Sequence, residues 1–211
     1  MADILKQIAS SLYEGDDEAV PDLARQALAQ GMSPQQILSG GLIAGMDQVG
    51  KDFKAGDLFV PEVLVAARAM HAGMAVLRPL LAETGVATAG KYVVGTVKGD
   101  LHDIGKNLVK MMLEGAGFEM VDLGTDVAPE AFVAAVREHQ PQLLGMSALL
   151  TTTMVQMKAV VDALEEAGLR DSIKIMIGGA PVTATYAQQI GADAYAPDAA
   201  SAVDIARELV A

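Results

Sequence analysis

The chain has 211 residues, of which 52% are apolar, enough to bury the core of one larger domain or of two small ones. A formal net charge of -12 and 4% aromatic residues oppose binding to nucleic acid, and the sequence has neither a secretory pattern nor a membrane span of about 20 apolar residues, so we expect a cytoplasmic protein. The absence of cysteine excludes disulfides, zinc-thiolate sites and iron-sulfur clusters, so any metal is expected to arrive inside a cofactor.

Residues 2–84 carry helical periodicity and no convincing strand. Two stripes of apolar residues predict a first helix that ends near Gly15 and a second that ends near Gly31. Ser33 is followed by a proline and, three residues later, by a glutamine, a pattern that starts helices. The third predicted helix begins there and runs to a break at residues 51–57.

A fourth helix is predicted from near Pro61 towards Leu81, with Pro79 kinking it or ending it early. Four helices with short connections are typical of a small antiparallel bundle, which we assign to residues 1–84. The segment 85–90 is rich in small residues and poor in charge. We therefore expect a linker there, which would also serve as a hinge.

From residue 91 the apolar residues fall in short runs separated by segments of helical length. This alternation predicts right-handed βαβ units and a doubly wound, Rossmann-like or flavodoxin-like parallel sheet of five strands in residues 91–211. The predicted strands are residues 92–97, 119–123, 143–147, 173–177 and, more weakly, 192–195. Ligands of such sheets lie at the carboxyl ends of the strands. The candidate segments are therefore those after each strand: Gly99–Gly105, Gly124–Thr125, Ser147–Leu149, Gly178–Gly179 and Tyr195–Pro197.

The segment after the first predicted strand holds His102 in a turn bounded by Gly99 and Gly105. Asp100 can accept the proton of one ring nitrogen of the histidine, which leaves the other nitrogen for a metal. An aspartate and a histidine in a loop are alternatively a helix N-cap beside a surface histidine. Thr153, after the third strand, either caps the next helix or completes a hydrogen-bond relay with Asp100 and His102.

A second group of residues follows the third and fourth strands. Gly178 and Gly179 would let a long, flat ligand approach the backbone, and Ser147 adds a hydroxyl at the neighbouring strand end. The two glycines are alternatively no more than a strand-to-helix turn. No phosphate-loop or dinucleotide-binding glycine pattern follows any strand, which disfavours nucleotide sites of those kinds.

Several segments together carry a family resemblance: Thr-Val-Lys-Gly-Asp-Leu-His-Asp-Ile-Gly-Lys-Asn at 96–107, Val-Asp-Leu-Gly at 121–124, Ser147-x-Leu149, and Gly178-Gly179. In this order and at these intervals they closely resemble the cobalamin-binding module of methionine synthase and the corrinoid proteins of methyltransferase systems. Residues 49–53 and 57–64 resemble the helical cap of the same family. The resemblance therefore spans essentially the whole chain.

The resemblance implies a cobalamin or related corrinoid whose cobalt takes His102 as lower axial ligand in place of the benzimidazole, with Asp100 and Thr153 behind the histidine. Methionine synthase has serine where this chain has Thr153. The other residues implied to contact this side of the cofactor and its nucleotide tail are Gly99, Asp103, Ile104, Gly105, Ser147, Leu149, Thr151, Gly178, Gly179 and Tyr195.

On the opposite face of the cofactor, the resemblance implies that residues of the helical cap shield the methyl group. These residues are Phe53, Val60, Val63 and Leu64. The core of the bundle is an alternative role for Val63 and Leu64. Phe53 is the favoured shield, because it lies at the predicted break rather than within a helix.

The resemblance implies a methyl carrier rather than a stand-alone enzyme. A substrate:corrinoid methyltransferase would load the methyl group, a second methyltransferase would pass it to tetrahydrofolate or coenzyme M, and a reductive activating protein would restore the cobalt. The methyl donor would be chosen by the partner. Alternatives are the small subunit of an adenosylcobalamin mutase, which the helical cap disfavours, and a corrinoid-dependent sensor, which would need a basic DNA-binding module. A flavodoxin-like binding domain is the least specific alternative.

Overall fold

The computed structural model describes residues 2–84 and 88–211, which fall largely into two compact units. The first unit holds the helices of residues 2–84, and the second holds a sheet and its helices in residues 88–211. Residues 85–87 lie outside the described part of the chain, so the predicted linker at 85–90 is described only from residue 88 onwards.

The helical unit has four helical segments, as the sequence predicts. They are α1 (Ala2–Tyr13), α2 (Ala19–Ala29), a continuous segment of α3 (Pro34–Ile37), a π-helical turn (Leu38–Ile43) and α4 (Ala44–Ala55), and finally α5 (Val60–Thr84). The predicted helix start at Ser33 is confirmed as a capping box. Ser33 Oγ accepts a hydrogen bond from Gln36 N at 3.2 Å, and Gln36 Oε1 accepts one from Ser33 N at 3.0 Å.

Two predictions about helix ends are wrong. Helix α4 continues through the predicted break to Ala55 and ends at Gly56, which adopts the left-handed conformation at φ +84°. Phe53 therefore lies in the last turn of a helix, where the amide of Gly56 donates to its carbonyl at 3.1 Å. Helix α5 continues past Pro79 to Thr84, so the proline does not end the helix early, and a kink at Pro79 stays a prediction.

The length and composition of residues 60–81 in α5 would allow this segment to cross a membrane, which corrects the expectation that no stretch approaches a span. A core helix of a globular protein meets the same criterion. Helix α5 packs on α2 and α4, and Val63, Ala66 and Leu77 along it are fully buried. The apolar character of α5 is therefore accounted for by packing within the helical unit.

The second unit is the predicted five-stranded parallel sheet, with strand boundaries within two residues of those expected. The strands are β1 (Lys91–Thr96), β2 (Glu119–Asp122), β3 (Leu143–Ser147), β4 (Lys174–Gly178) and β5 (Ala194–Ala196). The helices are α6 (Ile104–Gly115), α7 (Pro129–His139), α8 (Thr151–Met154), α9 (Gln156–Glu166), a 3-10 turn (Arg170–Ser172), α10 (Ala184–Ile190) and α11 (Ala199–Val210).

The strand order is β2-β1-β3-β4-β5, so the order reverses between β1 and β3. At such a switch point the loops after the two strands diverge and leave a crevice at the carboxyl edge of the sheet. The register aligns the strand ends, because Thr96 pairs with Ser147 and Ser147 pairs with Gly178. The segment that contains His102 and the segment that contains Thr153 thus start side by side.

The sheet is tightly packed where Tyr92 of β1 crosses Gly145 of β3. Tyr92 is almost fully buried, and a Cβ at Gly145 would lie 2.3 Å from the tyrosine Oη. Well-packed interiors do not absorb such a contact without shifts of side chains or backbone.

We predict that Gly145→Ala lowers the free energy of unfolding by about 1–3 kcal/mol, because the added methyl group overpacks the sheet against Tyr92. Gly105→Ala is the matched control, since a Cβ there meets nothing within 4 Å and the backbone does not need glycine. Chemical denaturation of both variants measures the difference. Equal midpoints for the two variants would contradict this account of the packing.

Candidate functional site

Hydrogen bonds fix both ends of the loop after β1. The amide of Asp100 donates to the carbonyl of Val97 at 3.1 Å, and Gly99 between them has φ +80°, which favours glycine. Thr96 Oγ1 donates to the carbonyl of His102 at 3.1 Å, and α6 begins two residues later. These bonds turn the side chain of Asp100 inwards, where it is fully buried.

The carboxylate of Asp100 accepts hydrogen bonds from both loops at the switch point. On its own loop, Oδ1 accepts from the amide of His102 at 3.0 Å and lies 2.8 Å from the Nδ1 atom of His102. From the loop after β3, Oδ2 accepts from the amides of Leu149 at 2.8 Å and Leu150 at 3.3 Å. The hydroxyl of Thr153 also donates to Oδ2, at 2.6 Å. The buried charge is thereby fully hydrogen-bonded.

These bonds decide the protonation state of the carboxyl group. Burial by itself would raise the pKa of Asp100, since it disfavours the charged form. The hydrogen bonds from Thr153 and from the backbone outweigh burial and hold the pKa of Asp100 well below its usual range. Asp100 is therefore a carboxylate at neutral pH, and it accepts the proton carried by His102 Nδ1.

His102 is the exposed member of the pair, because its side chain is 51% exposed. With Nδ1–H directed at Asp100, the lone pair of Nε2 is left free, and Nε2 has no hydrogen-bond partner in residues 2–84 or 88–211. A single imidazole nitrogen backed by a carboxylate suits one axial position of a metal whose other ligands come from a cofactor. The metal-ligand role of His102 stays a prediction, and the arrangement leaves one ring nitrogen available for it.

The structure decides between the two interpretations of Thr153. Leu150, with no side-chain oxygen, occupies the N-cap of α8, and Thr153 lies within the helix. The hydroxyl of Thr153 is buried and reaches Asp100 at 2.6 Å, with the carbonyl of Leu150 as a second acceptor at 3.0 Å. Thr153, Asp100 and His102 therefore form one continuous hydrogen-bonded chain.

Several large apolar side chains are exposed on the segments that follow β1 and β3. In the described part of the second unit, these residues lie on the two loops of the switch point, at the start of α6 or at the end of α8. They are Leu101 (72% exposed), Ile104 (77%), Leu149 (44%), Leu150 (42%) and Val155 (53%). We call these five residues the apolar rim. A flat ligand that covered the rim would remove it from water, which favours binding.

The glycines of the site have different physical roles. Gly179 has φ +126°, and a Cβ there would lie 1.8 Å from the carbonyl oxygen of Ala148, so the fold itself requires glycine. A Cβ at Gly178 would lie 3.1 Å from the carbonyl oxygen of Ala196, which is a tight contact. Gly105, in contrast, faces open space beside the apolar rim although glycine weakens a helix. Gly105 is exposed, and a Cβ there would extend into this open space.

The remaining residues predicted for this side extend along the same edge of the sheet. Ser147 is partly exposed at the end of β3, and Tyr195 is partly buried in β5. Thr151 is exposed at the start of α8. Asp103 accepts a hydrogen bond from Asn107 Nδ2 at 3.0 Å.

Four residues of the helical unit were predicted to shield a methyl group. Val63 is fully buried, as expected for the core, whereas Leu64 is 42% exposed. Phe53 and Val60 are partly buried. Phe59 was not singled out from the sequence, yet its side chain is 66% exposed directly before α5.

Sequence reasoning also missed a charged network behind the site. Lys106 is buried in α6 and donates to both carboxylate oxygens of Asp122, at 2.7 and 2.8 Å, and to Asn107 Oδ1 at 2.7 Å. Burial would raise the pKa of Asp122, but the ammonium group of Lys106 holds that pKa below its usual range. The segment Val-Asp-Leu-Gly was recognised as part of a motif, but no pattern indicated its pairing with Lys106.

Comparisons with known proteins place both parts of the chain in B12-binding families. Residues 4–78 and 90–204 match two family models, each described as a B12 binding domain. The chain is 45% identical to trimethylamine corrinoid protein 2 of Methanosarcina mazei over 95% of this chain and 93% of the relative.

Two solved structures are similar over nearly the whole chain. One is a cobalamin-binding protein of Desulfitobacterium hafniense, at 34% identity and a TM-score of 0.82, with 98% of each chain covered. The other is the methanol:cobalamin methyltransferase complex of Methanosarcina barkeri, at 33% identity and a TM-score of 0.88, with 99% of this chain and 80% of that chain covered. Both likenesses extend across the helical unit and the sheet.

We predict that Thr153→Val destabilises the protein by about 1.5–3 kcal/mol at pH 7, because the buried carboxylate of Asp100 loses a charge-assisted donor. Thr152→Val is the control, since Thr152 is exposed and changes there are expected to stay within about 0.5 kcal/mol.

The effect of Thr153→Val should depend on pH. The pKa of Asp100 is lowered in the folded protein, so its contribution is fully present above the ordinary pKa of an aspartate, about 3.9, and is lost as pH falls from there through the lowered pKa of the folded state. Loss of the Thr153 donor raises this folded-state pKa towards the ordinary value, so the destabilisation shrinks at acid pH, where the folded variant takes up a proton that folded wild type does not. Urea unfolding of both proteins from pH 7 down to about pH 2 measures this. A difference in the free energy of unfolding that stays constant down to the lowest pH would refute the role given to Thr153.

Proposed function

The chain belongs to the B12-binding corrinoid proteins of methyltransferase systems, and from this premise we propose that it carries a methyl group on a corrinoid cobalt between two methyltransferases. One partner would load the methyl group from a methylated substrate, and the other would deliver it to a pterin or thiol acceptor. The observation that carries the proposal is the half-exposed His102, backed by a buried and ionised Asp100.

His102 is proposed as the lower axial ligand, with the benzimidazole of the cofactor displaced. Its Nε2 atom points away from Asp100 and is free to bind a metal, while Nδ1–H is held by the carboxylate. A carboxylate on the second ring nitrogen raises the basicity of the imidazole as a ligand. Thr153 fixes the other oxygen of the carboxylate, so the two side chains behind His102 set its orientation.

The donor set and the shape of the site fit a corrinoid. A bound corrinoid would supply a cobalt centre that accepts and donates a methyl group. His102 would provide a nitrogen ligand to the cobalt, and the apolar rim would support the macrocycle. Gly99, Asp103, Ile104 and Gly105 are proposed to line this support, with the gap at Gly105 filled by the macrocycle.

The nucleotide tail of the corrinoid is proposed to run along the carboxyl edge of the sheet. The residues proposed to line its path are Ser147, Leu149, Thr151, Gly178, Gly179 and Tyr195. Ser147 and Tyr195 are only partly buried and carry hydroxyl groups that a polar tail can use. At Gly179 the backbone lies so close to Ala148 that no side chain fits, which supports a close approach of the tail to the backbone there.

The helical unit is proposed to keep water away from the methyl group. Phe59 and Leu64 are its exposed large apolar side chains in residues 2–84, and they are better suited to this task than the buried Val63. Phe53 and Val60 are proposed to support them. Because the methyl group must reach partner active sites, this unit has to move, and residues 85–90 are proposed as its hinge.

The partners follow from the role of a carrier. We propose a substrate:corrinoid methyltransferase, a second methyltransferase that uses tetrahydrofolate or coenzyme M as acceptor, and a reductive activating protein. The relatives support the first partner, since one is named for trimethylamine and another was solved in a methanol:cobalamin methyltransferase complex. The choice of methyl donor is assigned to that partner, because selection of the substrate occurs in its active site.

The axial-ligand proposal is tested by mixing the purified protein with methylcobalamin and recording the absorption spectrum. Wild type is expected to bind the cofactor with benzimidazole displaced and histidine coordinated, because Nε2 of His102 is preoriented. His102→Ala is expected to lack the spectrum of the histidine-ligated form. His71→Ala is a control outside the second unit. Identical spectra for wild type and His102→Ala would refute the proposal.

The carrier role is tested separately by loading and delivery of the methyl group. Wild type, reduced and supplied with a candidate methyltransferase and its methylated substrate, is expected to gain the methyl group and to lose it when an acceptor methyltransferase is added. Radical rearrangement of a substrate in the presence of adenosylcobalamin, without methyl transfer, would contradict the carrier role while leaving the axial ligand intact.

Gly105→Ala provides a test of the proposed support. Its methyl group would occupy the open space that we assign to the macrocycle, so we expect at least about tenfold weaker corrinoid binding, equivalent to about 1.4 kcal/mol. Fluorescence quenching or equilibrium dialysis measures the affinity. Unchanged affinity in a variant that folds as stably as wild type would contradict this assignment.

A further inference from the structure

The connection after β2, residues 123–128, is hydrogen-bonded to the end of β1 and to the loop that carries His102. The amide of Thr96 donates to the carbonyl of Gly124, and the amide of Val127 donates to the carbonyl of Thr96, each at 3.0 Å. Val97 and Val127 also form a parallel bridge beyond the named strands. The pairing between β1 and this connection thus continues as far as the turn that carries Asp100.

Asp126 completes the pairing with two bonds. Its amide donates to the carbonyl of Asp100 at 3.0 Å, and its Oδ1 atom accepts from the amide of Gly99 at 2.6 Å. One residue therefore bonds to two consecutive backbone positions, Gly99 and Asp100, of the turn that carries His102. Gly99 and Asp100 cannot shift relative to the sheet without breaking these bonds.

Asp126 makes these two hydrogen bonds from a backbone conformation that is uncommon for a residue other than glycine. Its φ is +55°, and among non-glycine residues of 2–84 and 88–211 only Gln140, at the end of α7, also has positive φ. Aspartate tolerates the left-handed region better than most residues, but the conformation still costs free energy. The two hydrogen bonds to the loop of His102 offset that cost.

Asp100 is consequently fixed from two directions. The connection after β2 holds its backbone through Asp126, and the loop after β3 holds its carboxylate through Leu149 N and Thr153 Oγ1. His102 takes its own orientation from the carboxylate of Asp100. A shift in the backbone position of Asp100 would therefore also move the Nε2 atom of His102.

We propose that Asp126 is a positioning residue that sets how well His102 can reach the cobalt of a bound corrinoid. This inference rests on the proposed function, in which His102 is the axial ligand. Asp126 acts through the backbone of Gly99 and Asp100, and its required features are an acceptor oxygen and a left-handed backbone. Its charge is not required, because the carboxylate is bonded to a neutral amide at the surface.

Three substitutions separate these features. Asp126→Asn keeps an acceptor oxygen and tolerates positive φ, so it is expected to behave as wild type. Asp126→Gly adopts positive φ freely but has no acceptor, and Asp126→Ala lacks both features. Gln140→Gly is the matched control, because it relaxes the other left-handed residue far along the chain from the loop of His102.

The first measurement is the fraction of histidine-ligated methylcobalamin at saturating cofactor, read from the absorption spectrum well below the melting temperature. The ratio of histidine-ligated to unligated form is expected to fall at least about threefold in Asp126→Gly and Asp126→Ala, since a strong hydrogen bond is lost. Asp126→Asn and Gln140→Gly should stay near the wild-type ratio. A wild-type ratio in Asp126→Gly would overturn the proposal, and so would a loss in Asp126→Asn equal to that in Asp126→Ala.

The second measurement uses the protein without cofactor. Amide hydrogen exchange at Gly99 is expected to be at least about tenfold faster in Asp126→Gly and Asp126→Ala than in wild type, because the bond to Oδ1 is gone. Unchanged exchange would overturn the proposal. His102→Ala separates the two levels: if it has the wild-type spectrum, the axial ligand itself is wrong, whereas a normal response to His102→Ala with no response to Asp126 variants refutes the positioning role alone.

Discussion

The burial of one charge, the carboxylate of Asp100, is the constraint on which the site depends. A buried carboxylate without partners would cost several kcal/mol or take up a proton. Here five hydrogen-bond contacts surround it, and they come from two segments that are far apart in sequence, the loop after β1 and the residues from Leu149 to Thr153. Asp100 can therefore stay ionised only because the strand order and register bring β1 beside β3 and so bring the donors of both segments together.

The same arrangement explains the contrast between the two sides of His102. On the Nδ1 side of His102, the carboxylate of Asp100 is fixed by hydrogen bonds. The residues of the apolar rim, in contrast, are exposed to water. A site of this kind gives up hydrophobic burial in the free protein and recovers it when a flat ligand binds. Gly105 fits this pattern, because its open space serves no contact within the described part of the chain.

Much of this organisation was predictable, because it rests on local patterns. The period of the apolar residues predicts the five strands and most of the helices, and the motif around His102 predicts Asp100 and Thr153 as its partners. The end of α4 was misjudged because the predicted break ignored that Gly56 is the residue able to terminate the helix. Asp126 and the pairing of Lys106 with Asp122 were missed because each depends on the register between β1 and β2, which no local pattern encodes. Phe59 was missed because exposure cannot be read from a short apolar stretch.

The network of Lys106 bears on how the protein acquires its cofactor. This lysine joins α6 to the end of β2, and Asn107 beside it reaches Asp103 directly after His102. The loop is thus braced by bonds that form when the sheet folds, not when a ligand arrives. The loop loses its conformational entropy during folding, so ordering it costs little free energy when a ligand binds. A ligand that covers the rim therefore meets a loop whose backbone is already in place.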